Sequence, residues 1–467
     1  MQAIRESNLY RICAALVAWC TAEWRKSALV GWFVSQRETP GHNIGRSILE
    51  GYRKAFRTLR LNRLLEGSVF LHPAVFACAA AVLAPLLPTM ASLALVCASF
   101  FALVMRLGTD RLVDLRYSPL HKYVLLFAGI YLYATVTSTT PSGSLFAGLL
   151  TALFVLFFLV LPACGLDNRQ LRLLVTCMVI AGVLVALYGF YQRLFPDKFH
   201  ETWLDEDKFS DISFRVYSTL ENPNVLGEYF LLIIPIGAAM VLAEEQLKSR
   251  LLFGAGTLAM IVCLILTYSR GCYLGLIAAV AVFLVLLDRR FLLLGLAALV
   301  LSPFLLPENV LTRFTSIGDM SDSSTSYRVY IWLGTLAMLR DYWFSGVGPG
   351  INAFNTVYPE YAYNTVTAPH AHNLFLQVTC DTGVCGLAVL ILLCVSFYRM
   401  MFTAMHREGD RRAKLLQTGA VSAVTGFLVQ SMTDYTFYNY RVLLLFWVVL
   451  ALSVLFTRMG WPKEVTR

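Results

Sequence analysis

The sequence predicts an all-α polytopic membrane protein of about twelve transmembrane helices (range 10–13), with both termini cytoplasmic and a large extracytoplasmic loop before the tenth helix. Three observations carry that prediction. Of the 467 residues, 58% are hydrophobic and 14% charged, with a mean hydropathy of +0.64, whereas soluble domains carry about 25% charged residues. Apolar runs long enough to cross about 30 Å of hydrocarbon recur along the chain. Lys and Arg gather in alternate loops between those runs, which sets an orientation.

Residues 1–66 read as a basic N-terminal extension rather than a span. Trp19, Trp24 and Trp32 stand beside cationic residues, and Arg37, Arg46, Arg53, Lys54, Arg57, Arg60 and Arg63 follow. Helices lying on the cytoplasmic membrane surface fit that pattern, as does an ordinary cytoplasmic extension. The first apolar run is short and lacks a small-residue cleavage site, so no signal peptide is expected. Residues 67–306 hold helices one to nine, near 69–87, 89–105, 120–137, 144–162, 171–191, 224–243, 251–268, 271–287 and 291–306, with an outward loop at 192–223. The large loop is 307–382. Helices ten to twelve occupy 383–457, near 383–402, 415–433 and 439–457, and 458–467 is a cytoplasmic tail. Pro85, Pro88, Pro141 and Pro307 fall at or near helix ends, where a missing N–H does least harm.

The inside loops "RLGTDRLVDLR", "DNRQLR", "EEQLKSR", "DRR" and "RMMFTAMHREGDRRAK" each carry at least two basic residues. The outside stretches "TSTTPSG" and "DYTFYNY" carry none. The net charge of +9 therefore records topology, not a groove for nucleic acid. Of the eleven cysteines, Cys78, Cys97, Cys164, Cys177, Cys263 and Cys394 fall in or beside apolar runs and read as small buried hydrophobes. Cys380 and Cys385 are five apart and face different sides of a helix, so no disulfide is expected there. No P-loop and no H-E-x-x-H occurs, and the acidic segment at 200–211 lacks calcium-loop spacing and reads as solvated.

Three arginines stand on the outward side in distinctive contexts: Arg215 in "FRVYSTLENPNVLGEYF", Arg270 in "LTYSRGCYLG", and Arg328 in "SSTSYRVYIWLGTLAML". Arginine inside hydrocarbon costs roughly 2.5–3.5 kcal/mol to insert, so such residues tend to be functional; snorkelling to the headgroups is the bland alternative. Guanidinium binds phosphate in a two-pronged fork and keeps its charge, so the three suit a shared site for a diphosphate at headgroup level. Arg340 reads as an interfacial ion pair with Asp341. Few ionisable residues are expected near the bilayer centre, which argues against a transporter.

The stretch "PHAHNLFLQVTCDTGVCG", 369–386, gathers polar chemistry on the same side. Pro369 suits a first helical position, which puts His372 in the first turn or so and Gly383, eleven residues on, on the same face. Gly383 and Gly386 allow close approach of a helix or a lipid chain. A histidine at a helix N-terminus is held neutral by the dipole, the form that accepts a hydroxyl proton, while Asn373 orients the ring or a substrate. A capped helix start with a structural histidine is the competing reading. His370 and His372 point to different faces of such a helix, so no metal site is expected.

The pattern H-N-x9-G-x2-G at His372 resembles the H-[NSQ]-x9-G-x2-[GTY] pattern of the O-antigen ligase family and its O-antigen polymerase relatives. "TLENPNVLGEY", with Asn224, resembles that family's Pro-Asn element. "TYSRG" resembles its Ser-Arg-Gly element, and "YRVYIWLGTLAML" followed by "FSGVGPGINAF" resembles the entry to its large loop. These elements run in the family's order over roughly 215–386.

The resemblance implies a GT-C-like, inverting, metal-independent glycosyltransferase. It would take a glycan from undecaprenyl diphosphate at the outer face of the cytoplasmic (inner) membrane, its site facing the periplasm or cell exterior. His372 would be the general base, with His370 able to take or share that role. Arg270, Arg328 and Arg215 would bind the diphosphate, and no cofactor or nucleotide sugar is implied. The acceptor is left open among lipid A core, a growing polysaccharide and a glycoprotein, and so is ligase against polymerase. A bicarbonate-transporter-like role is a further alternative.

Overall fold

The computed structural model describes residues 46–59, 72–109, 116–199, 214–291, 293, 295–297, 300, 323–407 and 409–459. The expected surface helices of 1–45, the acidic segment 200–211, most of the expected span 291–306 and the tail from 460 lie outside the described residues. Each other expected span coincides with a helix. In chain order the helices, spans and others together, are α1 (Arg46–Thr58), α2 (Pro73–Leu83), α3 (Thr89–Leu107), α4 (His121–Val136), α5 (Pro141–Ala163), α6 (Asn168–Leu194) and α7 (Pro223–Ala243). They continue as α8 (Leu247–Ile265), α9 (Arg270–Leu287), α10 (Ser323–Tyr342), α11 (Ile351–Val357), α12 (Leu374–Arg407), α13 (Arg411–Gln430) and α14 (Tyr440–Phe456).

The chain is thus an all-α polytopic membrane protein: among the described residues, α3, α5, α6, α7, α8, α9 and α12 are long and apolar enough to span. The nine described cysteines, Cys380 and Cys385 among them, are all free. The run at 69–87 yields Pro73–Leu83 among the described residues, with Pro85 and Pro88 following its end.

Caps set the starts of the site-bearing helices. Asn222 accepts the Asn224 and Val225 N–H groups ahead of α7, and Asn439 accepts the Arg441 N–H ahead of α14. Side-chain acceptors of this kind satisfy donors that a helix start leaves open. α14 is apolar all round and buried from Arg441 to Phe456, the expected state of a central helix. Phe446 stacks on Phe427 at 5.0 Å between ring centres, and Trp447 lies 5.8 Å from Phe127. α9 and α13 cross at Gly275 and Gly426, where a Cβ on either would stand 2.7 Å from the other's carbonyl oxygen; only glycine permits that approach.

Within the expected loop 307–382 the described residues form helices. α10 is twenty residues long, and α12 starts at Leu374 rather than after residue 382. Gly383, at φ 69° and ψ −174°, breaks α12, and a Cβ there would meet the Phe344 carbonyl oxygen. Across the break, Val384 N–H donates to Trp343 O at 2.8 Å and Val347 N–H to Cys380 O at 2.6 Å. Gly383 thus admits a turn of the 343–347 backbone, and Gly386 accommodates the Thr382 side chain.

At the opposite end of α7, Arg172 donates to both Glu244 oxygens at 2.7 and 2.6 Å. α1 docks on the last turn of α3, with Arg53 Nε donating to Leu107 O at 3.2 Å and Phe56 buried. No ion pair joins Arg340 to Asp341; Asp341 accepts the Tyr361 hydroxyl at 2.6 Å instead.

Candidate active site

Five segments far apart in sequence meet at one end of the bundle: the stretch before α7, the α8–α9 junction, the first turns of α10, the loop before α12, and the α13–α14 loop. Their meeting point is the pair His372 and Asp434, with Nδ1 and Oδ1 3.1 Å apart. His372 is not in a helix. It precedes the α12 cap with φ 45°, because Asn373 is the residue whose Oδ1 accepts the Phe375 and Leu376 N–H groups. Asn is among the strongest helix caps, and here it displaces Pro369 as the start signal. Asn373 Nδ2 also donates to Met432 O at 2.8 Å, and Leu374 N–H to Ser431 O at 2.9 Å. These two bonds sew the histidine loop onto the end of α13.

Left-handed backbone at a histidine is uncommon and is held only where surroundings over-determine it. Here Trp332 Nε1–H donates to His372 O at 3.2 Å, and His372 N–H donates to His370 Nδ1 at 3.3 Å. The Tyr327 ring stands edge-on to the His372 ring at 5.8 Å. The His372 side chain keeps 20% of its surface exposed, whereas His370 is buried against His372, Tyr435 and Tyr438.

Asp434 is the hub. Its Oδ1 faces His372 and accepts Tyr435 N–H at 2.9 Å, while Oδ2 accepts Asn224 Nδ2 at 3.1 Å. An ionised carboxylate only accepts, so Asn224 must offer its NH2 there and its carbonyl outward. That carbonyl receives Arg215 Nη2 at 3.2 Å, and Arg215 Nε donates to Thr267 O at 2.9 Å, three residues before Arg270. The same rule makes His372 Nδ1 the protonated nitrogen and leaves Nε2 as an acceptor.

Burial alone would raise the Asp434 carboxyl, but the His372 hydrogen bond and the cationic surroundings of His372 and Arg328 outweigh it and hold it well below the carboxylate range. Burial, with His372 and Arg328 nearby, pushes His370 down to about 3, so that ring stays neutral.

Arg328 lies one residue beyond Tyr327 and close enough to act on both His370 and Asp434. Its Nη1 donates to Ser324 Oγ at 2.6 Å, while its Nε is buried with no hydrogen-bond partner. His370, His372 and Asp434 present one ligand atom each within 4.8 Å of one another, a spacing compatible with a metal ion. Nδ1 of His370, Nδ1 of His372 and Oδ1 of Asp434 each take part in a hydrogen bond, and a guanidinium nearby disfavours a further cation.

The structure therefore brings Arg215, Asn224, Arg328, His370, His372 and Asn373 together, with Arg270 opening α9 just after Thr267. Gly383 and Gly386 stand apart, the former about 13 Å along α12 from its start by helical rise.

Asp434 belongs to no motif in the sequence: "DYTFYNY" stands out there only for lacking Lys and Arg. The signal available was a lone carboxylate between two apolar runs. Two buried carboxyl groups do lie inside the spans. Glu228 and Asp381 are 2% and 1% exposed, inside α7 and α12. By helical rise they lie only about 8 and 10 Å from the helix starts, short of the midplane of a core about 30 Å thick.

Residues 255–391 match the family model described as O-antigen ligase, a range that includes Arg270, Arg328, His372, Gly383 and Gly386. The chain is also 21% identical over 368 residues to the teichuronic acid biosynthesis protein TuaE of Bacillus subtilis (strain 168), covering 71% of this chain and 70% of that one. The resemblance first visible at His372 is thus met by an independent match of residues 255–391 to the O-antigen ligase model.

Proposed function

We propose that the protein is a glycosyltransferase of cell-envelope polysaccharide synthesis, moving a glycan from undecaprenyl diphosphate to an acceptor hydroxyl at the outer face of the cytoplasmic membrane. His372 Nε2 takes the hydroxyl proton as the oxygen attacks the anomeric carbon from the face opposite the diphosphate, inverting that centre. Asp434 stabilises the positive charge arriving on the ring, as the carboxylate partner of a catalytic histidine does. Arg328, Arg270 and Arg215 receive the negative charge that grows on the departing diphosphate, where fixed cations help most. No metal or cofactor takes part.

The observation that carries this reading is the His372–Asp434 contact of 3.1 Å beside Arg328, whose buried Nε has no partner. A guanidinium N–H left open in this way suits a phosphate oxygen.

A second reading concerns the acceptor. The relative's printed name places that protein in teichuronic acid biosynthesis, which favours a growing polysaccharide as acceptor and hence a repeat-unit polymerase over a ligase onto lipid A core.

The test is transfer by the purified full chain in nanodiscs. Undecaprenyl-diphosphate-linked saccharide extracted from the host's own membranes is offered with lipid A core or with the same repeat unit, with chelator present. A larger product that requires His372 and Arg270 supports the chemistry, and the productive acceptor separates ligase from polymerase. Equal transfer by folded His372→Ala overturns the base assignment. Loss of transfer with chelator, restored by a divalent ion, overturns the metal-free mechanism.

A further inference from the structure

We infer that Asp381, acting through Gln377, is a positioning residue that keeps the His372 loop and the Asp434 loop in register. The inference rests on the reading of His372 as the base.

Asp381 and Gln377 are four residues apart on the buried face of α12, and residues at that spacing are neighbours on a helix surface. Both are almost wholly excluded from solvent, at 1% and 2%. A carboxylate at such a place is costly unless its oxygens are matched, and here they are. Oδ1 accepts Gln377 Nε2 at 2.8 Å. Oδ2 accepts the Tyr131 hydroxyl at 3.3 Å and the Tyr435 hydroxyl at 3.4 Å.

Each of two links leads to the candidate site. Gln377 thus turns its NH2 toward Asp381 and its carbonyl the other way. That carbonyl accepts the Ala371 N–H at 2.7 Å, and Ala371 sits between His370 and His372, next to the left-handed backbone at φ 45°. On the other side, Tyr435 is the residue after Asp434, and its own N–H donates to Asp434 Oδ1 at 2.9 Å. One buried carboxylate thus holds the backbone between the histidines and the residue beside their partner. The hydrogen-bonded chain of α4, α12 and the α13–α14 loop makes the position of the base depend on a group that never reaches the substrate.

The experiment compares Asp381→Asn, Asp381→Leu, Gln377→Met and the Asp381→Leu/Gln377→Met pair in the full chain. Transfer kinetics use the membrane-extracted donor, and hydrogen–deuterium exchange follows the peptide covering 370–372. Asn still offers Gln377 an acceptor, so Asp381→Asn should keep kcat within about threefold. Asp381→Leu and Gln377→Met should each lower kcat about tenfold or more with the donor KM little changed, and speed exchange at Ala371. The pair should add less than about twofold to Asp381→Leu, which already cuts the Gln377 link along with the Tyr435 one.

Wild-type kcat and exchange in Gln377→Met would overturn the inference. So would an Asp381→Asn as inactive as Asp381→Leu, which would make the charge itself the active feature. Faster exchange along the whole chain, in place of a change local to 370–372, would reduce the brace to general stability and equally overturn it. His372→Ala runs alongside: if it transfers normally the base assignment fails, while the exchange data still decide the brace.

Discussion

Replacing Asp434 by Asn tests the hub with the least change of shape. The carboxylate accepts from three groups: His372 Nδ1–H at 3.1 Å, Tyr435 N–H at 2.9 Å and Asn224 Nδ2 at 3.1 Å. An Asn at 434 can keep the first two through its carbonyl, but its NH2 then confronts the NH2 of Asn224. Relief requires Asn224 to flip, which turns its NH2 toward Arg215 Nη2, itself a donor. Every arrangement leaves one donor facing another, and none returns the negative charge to the ring. A hydrogen bond to a charged group is worth about 1.5–3 kcal/mol, and about 1.4 kcal/mol is tenfold in rate. Asp434→Asn should therefore lower kcat by roughly 10- to 100-fold, with the donor KM changed far less. The assay is single-turnover transfer in nanodiscs, with thermal melting to confirm the fold. A folded Asp434→Asn that turns over within a factor of about two of the wild type would refute the polarised chain from Arg215 to His372.

Two further outcomes follow from the same geometry. His370 is held neutral with its value near 3, below the ordinary histidine value near 6.5, so between those two values the unfolded chain binds the extra proton. Stability should fall with acidification by up to roughly 1.4 kcal/mol per pH unit in that window. His370→Asn, which keeps an acceptor for the His372 N–H, should flatten the slope measured by melting from pH 6.5 to 4; an unchanged slope contradicts the buried neutral ring. Gly383→Ala asks an L-residue to adopt φ 69° and meet the Phe344 carbonyl. It should cost more than about 1–2 kcal/mol, read as a lower melting temperature, and an unchanged melting temperature would mean that the turn at 343–347 is free to move.

Much of the architecture was open to reading from composition, because a span needs only length and apolarity, and those are local properties. The arginines and His372 could be singled out for another reason: a cation beside an apolar run is expensive enough to notice, and a resemblance supplied the histidine. Asp434 was hidden because its meaning lies in what it touches 62 residues away in sequence, and a single carboxylate in a loop carries no period. The helix start was misplaced because two signals competed. Pro369 marks a permissible first turn, whereas Asn373 both caps α12 and bonds to Met432, and that second bond exists only in the folded bundle. Gln377 and Asp381 had the i, i+4 spacing in plain view, but on an apolar helix that spacing is equally the mark of two residues with no shared task.

The placing of Asp434 against His372, with Arg328 near and Arg215 one amide away, also answers a physical difficulty of the proposed site. Guanidinium groups that welcome a diphosphate also oppose the positive charge a histidine acquires when it accepts a proton, and water is too sparse near a buried loop to screen them well. A carboxylate placed against Nδ1 offsets that repulsion at the ring, while Asn224 spaces it from Arg215 by one uncharged amide. A direct Arg215–Asp434 ion pair would have neutralised both, leaving a weaker cation for the leaving group and a weaker anion for the base. Changing Asn224 to Leu should accordingly damage transfer although it removes no charge. Removing the spacer exposes Oδ2 of Asp434 to Arg215, so the variant should lose activity in kcat more than in donor KM. An Asn224→Leu protein that matches the wild type in both would mean that the amide only fills space.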